Sequence, residues 1–278
     1  MKIGQQTIAN LGMGAWHLGE GDSQQSAQEL KTLRYGIEHG INVIDTAEMY
    51  GEGAAESLVG QAIMPYKRSD LYLISKFYPW HATQSAMRTA LQHSLKRLQT
   101  DYLDLYLLHW PGDTPIQETL AGLQALQHEG LIKQYGVSNF DQADLQMAHL
   151  VDPDAVLSAN EVLYNLDSRG IEYDLLPYHH THQIATIGYS PFGSGDGQEI
   201  TLPASLTDLA KQKNITPHQL MLSWVLQRGD VLAIPKASTI AHLQANVETP
   251  QVSWTDDELA VVDQAFPQPT HKTPLKVI

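Results

Sequence analysis

The chain has 278 residues, no cysteine and a formal net charge of −14. The length suits one large barrel or two ordinary domains, and the lack of cysteine excludes disulfides, thiolate catalysis and zinc–sulfur sites. The acidic balance argues against nucleic-acid or anionic-membrane partners, so an anionic cofactor needs a local positive site inside a repelling field. No apolar run approaches the roughly 18 residues of a membrane span, and the N-terminus lacks the charged region, apolar core and cleavage site of a leader. The expectation is a soluble, cytoplasmic protein, in which Asn214-Ile215-Thr216 matches a glycosylation acceptor by chance.

Short apolar runs predict strands at 12–16, 42–45, 71–75, 102–108, 131–137, 157–162, 184–189 and 231–234. Helical periods fall between them at 24–39, 52–64, 83–97, 116–128, 141–150, 170–181, 203–213, 216–227 and 239–247. Asp22-Ser23 and Asp141 read as helix caps. The strands are apolar without alternation, as when both faces of a parallel sheet are covered. Eight strand–helix units predict a single (β/α)8 TIM barrel, for which about 250 residues is typical. No linker or composition shift divides the chain, so residues 1–278 are expected to form one domain. The stretch 267–278 carries three prolines and no period, and is expected to extend beyond the last helix.

Asp45 ends the second predicted strand, Lys76 follows the third, His109 follows the fourth, and Tyr50 lies in the loop after Asp45. A buried Asp needs a cationic partner. A tyrosine works as an acid when something lowers its ordinary pKa of about 10. Lys76 answers both needs. Asp45, Lys76, His109, Ser138, Asn139, Glu161, Tyr189 and Lys236 all fall at carboxyl ends of predicted strands, the rim where such barrels carry their sites. Each of these residues alone is more often a cap or core residue than a catalytic one; their recurrence at successive strand ends is what favours a site.

With Asp45-Thr46-Ala47-Glu48-Met49-Tyr50-Gly51, Ser75-Lys76 and Leu108-His109-Trp110 around them, these residues resemble the aldo-keto reductases. The resemblance runs from Leu11 to Asn246, with the motifs in the family's order. Details such as Asp45 to Tyr50 and Arg169 to Pro177 are similar to a bacterial subgroup that includes methylglyoxal-reducing enzymes. The resemblance implies reduction of a carbonyl by a nicotinamide cofactor. Tyr50 would then be the proton donor, Lys76 would lower its pKa, Asp45 would hold Lys76, and His109 would orient the substrate carbonyl.

A competing motif lies in the same place. Tyr72-Leu73-Ile74-Ser75-Lys76 matches the Tyr-x-x-x-Lys of short-chain dehydrogenases, which works on a helix, where that spacing puts both side chains on one face. On a strand the two residues lie about 13 Å apart. No Gly-x-Gly-x-x-Gly opens the chain either, so a Rossmann site is unsupported.

The resemblance further implies that Ser138 and Asn139 bind the nicotinamide carboxamide. Tyr189 would stack on the ring, with Ser190, Pro191, Phe192, Ser194 and Asp196 toward the pyrophosphate. Lys236 would meet the adenosine 2′-phosphate, with Thr239, His242 and Asn246 beside it. NADPH is the expected cofactor, with NADH tolerated: His242, Ala237 and Ala245 stand where the family usually has Arg, Ser and Glu, and a neutral His grips phosphate less than Arg. Glu161 stands where the family usually has glutamine. Ionised, it would favour the oxidised nicotinamide; protonated, it would act as glutamine. Trp16, Tyr78, Trp80 and Trp110 are expected to wall the substrate pocket. Short connections after His109 and near the C-terminus imply a shallow pocket for small aldehydes or dicarbonyls. No metal is expected, since His179-His180-Thr181-His182 reads as a solvated helix end. The chain is expected to be monomeric. A ketone or keto-sugar reductase with the same residues, or a cofactor-sensing subunit without catalysis, are the alternatives.

Overall fold

A computed structural model describes residues 1–194 and 198–278. Eight parallel strands form one sheet: β1 Met13–Gly14, β2 Val43–Asp45, β3 Tyr72–Phe77, β4 Leu103–Leu108, β5 Ile132–Ser138, β6 Ala159–Leu163, β7 Ala185–Tyr189 and β8 Val231–Ala233. They pair in chain order. The ends of the sheet also meet, through parallel bridges Leu11–Ala233 and Gly14–Lys236, with Gly12 N donating to Ala233 O at 2.8 Å. That contact closes the barrel. Gly14 is required at the seam, because a Cβ there would sit 2.6 Å from the Ile234 carbonyl oxygen.

Helices α1 Ser23–Glu38, α2 Ala54–Ile63, α3 Gln84–Leu98, α4 Ile116–His128, α5 Gln142–Val151 and α6 Leu175–His182 follow β1 to β6 in turn. Helices α7 Ala204–Gln212 and α8 Pro217–Leu226 follow β7, and α9 Ile240–Glu248 and α10 Asp256–Ala265 follow β8. Asp22 caps α1, accepting from the Gln24 and Gln25 amides, and Asp141 forms a reciprocal capping box with Asp144.

The strand period of two decides what points inward. Val43, Tyr72, Ile74, Leu105, Leu107, Ala159, Ala185, Ile187, Leu232 and Ile234 form one apolar cluster, separate from the larger cluster that packs strands against helices. Two residues further along the same faces come Asp45, Lys76, His109, Glu161, Tyr189 and Lys236. The polar residues of the rim are therefore the last inward positions of strands whose earlier inward positions are apolar. Tyr72 shares the Lys76 face but lies at the opposite end, where its hydroxyl donates to Gln134 Oε1 at 2.8 Å. The Tyr72–Lys76 spacing is that of a strand, as the sequence argument required.

Several elements depart from expectation. An N-terminal hairpin, Lys2–Ile3 with Gln6–Thr7, plugs the barrel floor, with Ile3 fully buried and its carbonyl accepting from Gln134 Nε2. Helix α10 is additional, opened by the capping box Thr255–Glu258. The helix expected from residue 52 starts at Ala54, because Gly51, Glu52 and Gly53 are all left-handed. That expected over 170–181 divides into a 3-10 turn Gly170–Glu172 and α6. His179 is buried rather than solvated: Nδ1 lies 2.9 Å from Thr186 Oγ1 and Nε2 lies 3.1 Å from Asn160 Nδ2.

Candidate active site

Lys76, fully buried, is the hub of the rim. Its Nζ lies 2.6 and 2.8 Å from the two oxygens of Asp45, 3.1 Å from the Thr46 carbonyl and 3.2 Å from the Tyr50 hydroxyl. Glu161 Oε1 approaches to 3.3 Å. Tyr50 stands on a 3-10 turn, Tyr50–Gly53, whose chain reversal passes through φ 55° at Gly51 and 88° at Gly53. A side chain on Gly53 would strike Arg97, which holds the buried Glu56. The turn thus delivers the hydroxyl to the ammonium at a position fixed from behind. His109 meets Tyr50 edge to face, ring centres 5.7 Å apart.

Burial dominates the electrostatics. It drives His109 down to about 2, with Lys76 adding to the effect, so the imidazole is neutral at working pH. Burial pushes Asp45 upward against the pull of Lys76, while the ammonium itself is raised by its acidic neighbours in spite of desolvation. One expectation is corrected here. Lys76 does pull the Tyr50 hydroxyl down, but burial outweighs it, and Asp45 and Glu161 push the same way as burial, so the net shift is upward. Tyr50 holds its proton firmly in the free protein.

Asp45, Tyr50, His109 and Glu161 line a cavity of about 290 Å³, with Lys76 buried behind them. Trp16 and Trp110 also line it, with Ser138, Asn139, Tyr189, Ser190, Pro191, Phe192 and Lys236. Asn139, in a left-handed conformation, donates to the His109 carbonyl and accepts from the Tyr189 hydroxyl at 2.8 Å. Tyr78 and Trp80 do not line the cavity, contrary to expectation. The 3-10 turn at Pro79 carries Trp80 outward, where it is 62% exposed and stacks on Tyr78, while the Tyr78 amide is held by Glu48. Met49, His17 and Ile278 line the cavity without having been expected. Met49 and His17 adjoin Tyr50 and Trp16, and that adjacency was their signal; Ile278 had none.

Polar atoms are left over in this cavity. His109 Nδ1 and Glu161 Oε2 are buried without a hydrogen-bond partner. Beyond Lys236, which is exposed, Thr239 Oγ1 caps α9 by accepting from the His242 amide; His242 is exposed and Asn246 buried. Asp196 lies outside the described residues, and Ser194 is described by its backbone alone, paired with Gln198. A larger groove, about 720 Å³, lies between the segment 163–175 and residues 265–276. Its one buried charge, Arg169, is already bonded to Glu172, Asp263 and the Phe266 carbonyl, so it offers no free chemistry.

A sequence model described as the aldo/keto reductase family matches residues 10–266. The chain belongs to the aldo/keto reductase family. It is accordingly an oxidoreductase. The chain is 43% identical to the methylglyoxal reductase YeaE of Escherichia coli, over 99% of this chain and 97% of that protein. It is 32% identical to the methylglyoxal reductase DkgA of the same organism, over 92% and 88%. Among solved structures, an aldo/keto reductase of Klebsiella pneumoniae in complex with NADP and acetate superposes with a TM-score of 0.93 at 44% identity, covering 99% of this chain and 97% of that one. Among the described residues, no helix is long and apolar enough to cross a membrane.

Proposed function

We propose that the protein is a cytoplasmic, monomeric, single-domain NADPH-dependent reductase of small aldehydes and dicarbonyls of the methylglyoxal type. The observation that carries this reading is the Asp45–Lys76–Tyr50 chain of contacts, at 2.6 and 3.2 Å, on the floor of a small cavity faced by neutral His109. Bound NADPH supplies a hydride to the carbonyl carbon. Tyr50 donates its proton to the oxygen as negative charge develops there. Lys76 stabilises the phenolate left behind, and Asp45 holds the ammonium in place. His109, neutral and with an unpaired ring nitrogen, orients the carbonyl.

The residues present fit the cofactor. The unpaired oxygen of Glu161, with Ser138 and Asn139, suits a carboxamide; Tyr189 and the residues after it suit the ring and pyrophosphate. The exposed Lys236, with Thr239, His242 and Asn246, suits the 2′-phosphate, and with no Arg there NADH is tolerated. At about 290 Å³ the cavity lies at the lower end of ligand pockets, about 300–1,000 Å³, and it must also take the nicotinamide head. A small carbonyl compound follows. The similarity to two methylglyoxal reductases supports the same class. A panel of methylglyoxal, simple aldehydes, ketones and keto-sugars, read by NADPH oxidation, tests it. The highest kcat/KM is expected with methylglyoxal or another small aldehyde. A preference for keto-sugars would move the substrate class, and no oxidation with any carbonyl would turn the reading toward a sensing subunit.

A further inference from the structure

The pairing around Lys76 does not close if both of its acidic neighbours are ionised. An ammonium has three hydrogens. Asp45 takes two contacts, the Thr46 carbonyl a third and the Tyr50 hydroxyl a fourth, so nothing remains for Glu161 at 3.3 Å. Three further donors of the rim are engaged elsewhere. Ser138 Oγ donates to Glu161's own carbonyl, Asn139 Nδ2 to the His109 carbonyl and to Ser138, and the Tyr189 hydroxyl to Asn139. Glu161 is 2% exposed and its Oε2 meets no donor at all. Yet its carboxyl group and that of Asp45 crowd the same ammonium, Glu161 at 3.3 Å and Asp45 at 2.6 and 2.8 Å. Two ionised carboxylates around one ammonium repel each other; one proton held between them removes the repulsion.

We propose that Glu161 is held as a neutral carboxylic acid whose proton is shared with Asp45, and that in this form it positions the Asp45–Lys76–Tyr50 array and the amide end of a nicotinamide. The inference rests on the functional reading above and deepens it. Asp45 is the ionised partner, because it alone receives the close ammonium contacts. Burial, together with the Asp45 charge, pushes Glu161 well above the ordinary carboxylate range, in keeping with this arrangement. The groups facing Glu161 are Asp45 and Tyr50 on β2 and the turn after it, Lys76 on β3 and Tyr189 on β7. His109, on the Lys76 side, is neutral. With the proton in place, the cluster of Asp45, Lys76 and Glu161 has no net charge. Without it, a full negative charge appears beside Tyr50 and opposes the phenolate that proton donation must form. Reduction should therefore lose rate on an alkaline limb that belongs to Glu161, and Glu161→Gln should move that limb to higher pH.

The direct test is difference infrared spectroscopy of the cofactor-free protein, wild type against Glu161→Gln. The expected result is a protonated-carboxyl C=O band near neutral pH that is present in wild type, missing in the variant, and lost from wild type as pH rises. Absence of the band near neutral pH overturns the proposal. If the variant does not fold, a titration of wild-type protein carrying carboxyl-13C glutamate by NMR gives the same answer, with one glutamate expected to take up its proton far above the rest. A second readout is the ratio of NADP+ to NADPH dissociation constants. It should match in the two proteins near neutral pH and diverge several-fold at alkaline pH, where the ionised wild type should favour NADP+. A several-fold difference already at neutral pH overturns the proposal. A protein that reduces carbonyls but lacks the band sinks this inference alone. One that has the band and reduces nothing sinks the functional reading alone.

Discussion

Replacing Lys76 with methionine keeps the side chain's length and removes its charge, leaving Asp45 as a fully buried carboxylate with no cation. Breaking a buried pair in this way costs about 3–5 kcal/mol. An upper limit comes from the escape open to Asp45, which is to take a proton. From an unperturbed value near 3.9, protonation at pH 7 costs about 4 kcal/mol at 1.36 kcal/mol per unit. At pH 5 the same escape costs about 1.5 kcal/mol. The sign follows. In the variant, Asp45 has a folded-state pKa above its unfolded one, so stability is lost as pH rises above about 4. Lys76→Met should therefore be weaker than wild type by at most about 1.5 kcal/mol at pH 5 and by at most about 4 kcal/mol at pH 7. Urea unfolding at the two pH values measures this, and Lys76→Met/Asp45→Asn should recover most of the loss at pH 7. A penalty equal at both pH values, or a double variant no more stable than the single, would refute the argument that Lys76 is there to hold a buried charge.

Lys236→Ala should weaken NADPH binding far more than NADH binding in a fluorescence titration, because only NADPH carries the 2′-phosphate; equal losses would place the phosphate elsewhere. His109 has a folded-state pKa near 2, below its unfolded value near 6.5, so the stability it contributes is present above that value and lost as pH falls through it. The stability advantage of wild type over His109→Asn should accordingly shrink by about 1.4 kcal/mol between pH 7.5 and pH 5.5 in denaturant unfolding. No change in that difference would mean the imidazole protonates freely.

The barrel was legible because each strand is a short unbroken apolar run and the helices between them keep their period. The floor of the site was legible for a related reason: Asp45, Lys76, His109, Glu161, Tyr189 and Lys236 break those runs at a single level of the barrel. What escaped depends on other information. The N-terminal hairpin has strands of two residues, too short for any periodicity, and is held by a tertiary contact to Gln134. Helix α10 did carry a signature, Thr255 with Glu258, but no element was expected between 248 and 266. Trp80 was assigned to the pocket by proximity in sequence, whereas the turn at Pro79 sets its direction. The Tyr50 shift could not be read at all, since it is a balance between one cation and the depth of burial. Glu161 shows both sides: its position followed from the strand register, and its protonation follows only from counting the donors around it.

The most direct test of the account is Tyr50→Phe, which removes the hydroxyl and keeps the ring. The measurement is methylglyoxal reduction by NADPH in the variant and the wild type, with NADPH binding titrated in parallel. Loss of the positioned acid should lower turnover by about 10²–10⁴-fold while cofactor binding stays close to wild type. Turnover near the wild-type rate with NADPH still bound would contradict the assignment of Tyr50, and with it the chemistry ascribed to the Asp45–Lys76–Tyr50 array.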